Sequence, residues 1–240
     1  MEHEIIGHTK KVYKIMKNPN KPFWDKSKEI LIEVLIIVFA VTFAAFIERT
    51  REHYKEKSEA KEFVIGLRSD LISEITNLQQ NKESVDSMRT TYSGIMALTS
   101  TQIDSIKKNK TPGNFNITNF YTHIVNGRYD GFKSSGKIQT IENDSLRNDI
   151  LQYYQQDIPL IDFSENIFND NQKRLADFFI SHADDQGNKP TDLLKTLGSN
   201  RGKLIMKLSI GYSKSITSSY NDALNDAKKI KKEIDKEYPD

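Results

Sequence analysis

The chain has 240 residues, of which 37% are apolar and 28% charged, with a net charge of +2 and no cysteine. This length suits one or two domains, and the composition is that of a folded chain rather than a disordered one. The small net charge gives no support to nucleic-acid binding. The lack of cysteine excludes disulfides, thiolate metal sites and cysteine nucleophiles.

The N-terminal segment, residues 1–29, is basic. Between its apolar side chains it carries Lys10, Lys11, Lys14 and Lys17. This mixture is typical of an amphipathic helix lying on an anionic membrane surface, and a frayed basic tail is the alternative interpretation. Trp24, the single tryptophan, stands where an interfacial aromatic anchor would precede a membrane span.

The segment from Ile30 to Ile47 predicts a transmembrane helix. Its eighteen residues contain one charge, that of Glu33, and as a helix it would be about 27 Å long, close to the hydrocarbon thickness of a bilayer. A buried core helix is disfavoured because the run is apolar on every face, and a cleaved signal peptide because no cleavage site follows. Glu33 has three interpretations: an interfacial carboxylate that reaches the headgroups, a contact with a partner helix, or an ion-conducting group.

The cations around this span predict its orientation. Seven lysines precede it: Lys10, Lys11, Lys14, Lys17, Lys21, Lys26 and Lys28. Five cations follow it: Arg49, Arg51, Lys55, Lys57 and Lys61. The excess on the N-terminal side predicts a single-pass protein of the cell inner membrane, with a cytoplasmic N-terminus and a periplasmic C-terminal domain.

Residues 48–240 form the predicted extramembrane domain, whose regular elements are all expected to be helices. The span continues without a breaker, so one helical rod is expected from about residue 29 to 99, with a joint near Gly66. Its apolar stripe is Phe63, Leu67, Leu71, Ile75 and Leu78. A loop is expected around Pro112-Gly113, then a short helix over Asn119–Val125.

Two further long helices complete the domain. Asp144, Ser145 or Asn143 can cap the first, which Pro159 is expected to kink. The second is expected over residues 200–237. Its apolar stripe is Leu204, Leu208, Tyr212, Ile216, Tyr220, Ala223, Ala227, Ile230 and Ile234. The predicted fold is therefore all-α: one N-terminal transmembrane helix that continues into a bundle of long up-down helices.

The stretch from Tyr129 to Tyr154 carries the most distinctive pattern. It places a Lys-Ser-Ser-Gly turn after Phe132, an apolar segment with Ile138, Ile141 and Asn143, then Leu146, Arg147 and the pair Tyr153 and Tyr154. This pattern resembles that of an uncharacterised family of single-span membrane proteins common in Bacteroidota. The Glu33-led span and the stretch FVIGLRSDLISEITNL also resemble that family, although Ile47-Glu48-Arg49-Thr50 departs from its usual exit from the span. The resemblance covers about two thirds of the chain and implies architecture and bacterial source, but no activity.

The same stretch supplies the candidate binding residues. Gly136 can take a positive φ and end a helix, and Ser134 and Ser135 are turn residues or ligand donors. Arg147 is expected to pair with a carboxylate or with turn carbonyls. Tyr153 and Tyr154 at helical spacing are core residues or line a pocket.

No catalytic or metal-binding motif stands out. The five histidines do not have the spacing of a zinc site. Asp184, Asp185 and Asn188 give only a faint match to a calcium loop. We therefore expect a non-enzymatic protein without a cofactor. Its partners would be the lipid bilayer and other envelope proteins or a second copy of itself, as an accessory or scaffold subunit of an envelope complex. The alternative is a ligand-sensing or effector protein that acts as a homo-oligomer, with pore formation as a variant in which Glu33 lines the pore.

Overall fold

The computed structural model describes residues 2–17, 22–109, 117–182 and 190–239. Its α-helices are α1 (Glu2–Lys17), α2 (Phe23–Ala97), α3 (Ser100–Asn109), α4 (Gly127–Ser134), α5 (Asp144–Gln152), α6 (Ile158–Ile180), α7 (Pro190–Gly198) and α8 (Asn200–Glu237). A 3₁₀ turn (Lys137–Thr140) follows α4, and a π-helical turn (Tyr153–Asp157) joins α5 to α6. The all-α prediction is confirmed, since the described residues contain helices and no strand.

The chain divides into two compact units, Met1–Glu59 and Ala60–Asp240. The first unit contains α1 and the apolar part of α2. The most apolar eighteen-residue stretch there has a mean hydropathy of 2.9, and 6% of it is buried. Among the described residues, α2 is therefore the one helix long and apolar enough to cross a membrane, and its exposure separates it from the core helix of a globular domain.

The second unit is a bundle built on three long helices: the rest of α2, α6 and α8. Helix α8 runs antiparallel to α6, since Asn171 contacts Ser209 and Ser164 contacts Ser219. It also runs antiparallel to α2, where Arg68 contacts Asp235 and Arg89 contacts Ser213. This is the up-down arrangement that the sequence predicts.

Apolar residues at helical spacing form the core of the bundle. From α2 the fully buried ones are Leu67, Leu71, Leu78 and Val85, and from α8 they are Met206, Ile216, Tyr220, Ala223, Ala227, Ile230 and Ile234. The predicted α8 stripe is right from Ile216 onward but wrong at its start, because Leu204 and Leu208 are 57% and 42% exposed. Met206 and Ser209 face the core instead.

Two expected interruptions of helices have a different form in the structure. No joint occurs at Gly66, where α2 is unbroken. A Cβ at this position would overlap the guanidinium of Arg128, so the glycine provides space for that side chain. Pro159 lies in the first turn of α6, directly after the π-helical turn. Proline has no N–H to donate, and the widened turn lies directly before it, at the place where the kink was predicted.

The short helix expected over Asn119–Val125 is wrong. Residues 117–126 form no regular secondary structure, and helix α4 begins only at Gly127. We call residues 117–126 the strap. Within the strap, the Phe120 side chain is buried, whereas the Tyr121 side chain is 71% exposed. Its backbone groups cannot bond to one another as in a helix, so they need partners from other elements.

Candidate functional site

The two candidate residues of the predicted span lie near the N-terminal end of α2, Trp24 in its first turn and Glu33 further along. Trp24 is 77% exposed. Glu33 is only 5% exposed, and Lys11 of α1 places its Nζ 3.7 Å from Glu33 Oε1. Helix α1 therefore lies against this part of α2 and brings a cation to the carboxylate of the predicted span.

The Lys-Ser-Ser-Gly residues form the corner between α4 and the 3₁₀ turn. Ser134 ends α4, the Ser135 hydroxyl donates to the carbonyl of Phe132 over 2.8 Å, and Gly136 has a φ of 74°. Only glycine adopts this left-handed conformation without strain. The hydrogen bonds of Ser135 and Gly136 serve the turn itself, whereas Lys133 Nζ lies 5.6 Å from the Tyr129 ring centroid.

Arg147 and Asn143 hold the next corner. The Arg147 guanidinium donates to the carbonyl of Ile141 over 3.0 Å and pairs with Asp144 at 2.7 Å. Asn143 is the residue that caps α5, since its side chain accepts from the Leu146 N–H. Among the three possible caps, the structure selects this one. Arg147 thus contacts both a carboxylate and a turn carbonyl.

Tyr153 and Tyr154 converge on Glu74, a residue of α2 that sequence reasoning missed. The Tyr153 hydroxyl donates to Glu74 Oε2 over 2.8 Å, and the Tyr154 hydroxyl lies 3.4 Å from Oε1. The N–H of Val125 in the strap donates to the same Oε1 over 2.9 Å. Glu74 and Tyr153 have no exposed surface. Two hydroxyls and one amide therefore surround a fully buried carboxyl group.

The π-helical turn explains how two consecutive tyrosines both face the core. In an α-helix, successive side chains point about 100° apart, so one of two neighbours normally leaves the core. The wider turn over Tyr153–Asp157 brings the pair together: their ring planes meet at 84° with centroids 4.9 Å apart. Tyr154 also stacks on Tyr129 of α4 at 4.3 Å. Turns of this kind are frequent at functional positions.

Burial controls the protonation of this cluster. It raises the pKa of Glu74 from 4.5 to about 7, and the negative charge of Asp70 adds to the rise. The hydrogen bonds from Tyr153, Val125 and Tyr154 act in the opposite direction but do not cancel it. Burial also raises the pKa of both tyrosines, and the nearby Glu74 carboxyl raises it further. The hydroxyls therefore stay protonated as donors.

A second set of buried polar side chains holds the other half of the strap. The side chain of Asn169 in α6 accepts from the N–H of Phe120 over 2.9 Å and donates to its carbonyl over 2.8 Å. Glu165, one turn earlier, accepts from the N–H and the hydroxyl of Thr122 and from the hydroxyl of Tyr220. These groups replace the backbone partners that a helix or sheet would supply.

The missed residues had a detectable signal. Glu74 lies three and four residues from Leu71 and Leu78, within the apolar stripe, where sequence reasoning placed Ile75. Glu165 lies four residues after Ile161 and three before Phe168 in the same way, and Asn169 follows Glu165 by four residues. A polar residue in phase with a buried stripe indicates a buried polar partner elsewhere, but the sequence does not say which one.

The surface of the bundle offers a different kind of site. An open groove of about 490 Å³ lies between α6 and α8, lined by Arg174 and Phe178 on one side and Arg201, Leu204 and Leu208 on the other. The Arg201 guanidinium lies 5.5 Å from the Phe178 ring centroid. On α6, the exposed side chains of Leu160, Phe163 and Ile167 occupy the same side of the helix as Arg174. We call Leu160, Phe163, Ile167, Leu204 and Leu208 the apolar flank.

The Glu74 carboxyl and the Tyr153 ring have no surface exposed to solvent, so the cluster around Glu74 has a structural role. The apolar flank, in contrast, faces solvent. Over the described ranges, no three histidine, aspartate or glutamate side chains are grouped so that they could hold a metal ion. Residues 184–188, the faint match to a calcium loop, lie outside the described residues.

Comparison of the chain with protein-family models, curated proteins and solved structures gave no match. The resemblance to the Bacteroidota family therefore stays a prediction, and the site must be interpreted from its own geometry.

Replacing Asn169 with aspartate should destabilise the bundle by about 3 kcal/mol. The variant loses the amide donor to the Phe120 carbonyl and places a carboxylate oxygen against it. The measurement is urea unfolding of the full chain in detergent micelles, followed by near-UV circular dichroism. Asn148→Asp, at an exposed position of α5, is the matched control. Equal stability of the two variants would contradict the role given to Asn169.

The stability of the bundle should fall as the pH rises from about 4.5 to about 7, the ordinary and the native pKa of Glu74. In this window the unfolded chain releases the Glu74 proton while the folded chain retains it, so the free energy of unfolding decreases, by up to about 3 kcal/mol. The measurement is urea unfolding at a series of pH values.

Glu74→Gln is the matched variant for that pH series. Its amide keeps an oxygen for the Val125 N–H and gives the Tyr153 hydroxyl a donor, without a titrating group. We expect a shallower pH dependence, but not a flat one. Asp157, whose pKa burial and the nearby Asp226 raise to about 7, contributes in the same direction. An unchanged slope in the variant would show that Glu74 does not titrate in this window.

Proposed function

We propose that this chain is a non-enzymatic, single-pass membrane protein whose helical bundle binds another protein of the cell envelope, as an accessory or scaffold subunit. The proposed location is the inner membrane, with the N-terminus in the cytoplasm and the bundle in the periplasm. Different features of the molecule support the membrane anchor and the protein partner.

The exposed apolar surface of α2 carries the proposal. Eleven large apolar side chains between Leu31 and Ile47 are at least 45% exposed. They are Leu31, Ile32, Val34, Leu35, Ile36, Val38, Phe39, Val41, Phe43, Phe46 and Ile47. They point in all directions around the helix, so a single protein surface could not cover them. A bilayer removes every face from water at once.

The distribution of cations supports the proposed orientation. Lysines dominate the segment before the span, and the side that carries more cations is normally cytoplasmic. The exposed lysines of α1 have no acidic residue among them from Gly7 to Lys17. The segment after the span mixes Glu48, Glu52 and Glu56 with its cations.

The apolar flank supports a partner on the bundle. Phe163 is 63% exposed and Leu204 57% exposed, in a domain whose other long stripes are buried. Exposed large apolar side chains that cluster on one face, next to a groove with arginines, have the composition of a protein-binding surface. Aromatic and arginine residues are the types that most often dominate binding energy at interfaces.

The absence of cysteine allows a clean test of membrane topology. We expect Asn225→Cys, on α8, to react with a membrane-impermeant maleimide in intact spheroplasts. Met16→Cys, on α1, should react only after the membrane is opened. Both positions are exposed. The orientation would be overturned if the α1 cysteine reacted in intact spheroplasts and the α8 cysteine reacted only after the membrane was opened. Release of the protein by alkaline carbonate would overturn the membrane anchor.

The partner is tested by extracting the protein from native membranes in a mild detergent and measuring the mass and composition of the particle. We expect a second envelope protein in fixed ratio, lost in Phe163→Ser but retained in Ile180→Ser. Ile180 is the control because it is 68% exposed on the same helix, about a quarter turn away.

Three outcomes of this extraction would contradict the proposal. A bare monomer would exclude a stable complex, and a partner that stays bound in Phe163→Ser would place the contact elsewhere. A particle that contains only copies of this chain would favour the homo-oligomeric sensor or pore. Glu33→Gln would then be the next variant to examine.

A further inference from the structure

Helix α1 returns along the start of α2. It ends at Lys17, and α2 begins at Phe23. Lys11 Nζ lies 3.7 Å from Oε1 of Glu33, well inside α2. A contact between these two positions requires the chain to reverse between the helices, so that the last turns of α1 lie beside the first turns of α2.

The two sides of this part of α1 differ. Val12 and Ile15 are half-buried, whereas Lys10, Lys14 and Lys17 are exposed. These lysines are spaced by four and three residues and therefore share one face of the helix. Tyr13 and Met16 are each 64% exposed, and Lys17 Nζ lies 5.8 Å from the Tyr13 ring centroid. One side packs, and the other presents cations with an aromatic and a flexible apolar side chain.

The position of this cationic face relative to the span corresponds to the headgroup layer. Phe23 and Trp24 are 79% and 77% exposed in the first turn of α2. The apolar run starts at Ile30, about 9 Å further along the helix. The Lys11–Glu33 contact sets this face of α1 beside the start of the apolar run, from which lysine side chains can reach lipid phosphates while their stems and the Tyr13 ring lie along the hydrocarbon boundary.

We propose that Lys10, Lys14 and Lys17 of α1 form a binding surface for anionic phospholipids, in the leaflet that Trp24 enters. Lys11 is not part of this surface, because it faces Glu33. The inference rests on the membrane anchor of the proposed function, but it does not depend on a protein partner. The occupant is a phospholipid because the lysine face adjoins the span, so its ligands are the headgroups already present there.

The single tryptophan makes the test specific, since all the tryptophan emission of the full chain comes from Trp24. The full-length protein is reconstituted in lipid vesicles of phosphatidylcholine with an equal amount of phosphatidylglycerol. Either one lipid or the other carries brominated acyl chains, which quench tryptophan at short range. We expect brominated phosphatidylglycerol to quench Trp24 at least about twofold more than brominated phosphatidylcholine, because each lysine near the surface favours anionic lipid. High salt should weaken the preference.

Two variants with the same change of charge decide the assignment. In Lys10→Gln/Lys14→Gln/Lys17→Gln, most of the extra quenching of Trp24 by brominated phosphatidylglycerol should be lost, with a small remainder from neighbouring lysines such as Lys28. Lys228→Gln/Lys232→Gln/Lys236→Gln, at exposed positions of α8, should keep the preference. A preference that stays undiminished after the α1 substitutions, or that is lost with the α8 substitutions, would overturn the proposal.

The failures of this inference and of the membrane anchor are distinguishable. Equal quenching of the unmodified protein by both lipids would remove the lipid preference and leave the anchor in place. No quenching by either lipid would show that Trp24 does not meet a bilayer, which would overturn the anchor as well.

Discussion

A segment without helix or strand must find partners for its backbone outside itself, and the bundle depends on how the strap meets this constraint. Asn169 pairs with both backbone groups of Phe120, Glu165 accepts from Thr122, and Glu74 accepts from Val125. Thr122 and Val125 are close in the chain, yet their partners lie on α6 and α2. The strap thus ties two long helices together through buried side chains rather than through apolar packing alone.

The same constraint accounts for the irregular helix after Asn143. Glu74 can stay buried only if its oxygens have donors, and the strap supplies one amide. The remaining donors are two consecutive tyrosines, which a regular helix would direct to different sides. The π-helical turn brings Tyr153 and Tyr154 to the same carboxyl group, and Pro159 follows where a missing N–H is tolerated. The irregular helix and the buried carboxyl group are therefore parts of one arrangement.

Hydropathy and helical periodicity predicted the larger features correctly: the apolar α2, the long helices and most of the core. These two signals gave a wrong prediction for the strap, where polar side chains of other helices bind the backbone amides. The strap was expected to be helical, because its sequence contains no sign that Asn169 and Glu165, far along the chain, would bind its amides. Periodicity also misplaced Leu204 and Leu208, since it cannot show which of two neighbouring faces of α8 the rest of the bundle covers. The approach of α1 to Glu33 required coordinates, because no spacing links Lys11 to that residue.

The pattern of exposure distinguishes the two apolar surfaces that this chain leaves uncovered. On α2 the exposed residues from Leu31 to Ile47 surround the helix, which is how a helix meets a solvent of lipid chains. On α6 and α8 the exposed residues occupy one flank and adjoin arginines, which is how a helix pair meets another folded surface. Glu33 is the one charged residue within this apolar stretch of α2. It is buried because α1 packs against it, and Lys11 lies beside its carboxylate. Helix α1 therefore belongs to the same compact unit as the apolar part of α2, and the lipid contact that we propose for Lys10, Lys14 and Lys17 depends on that packing.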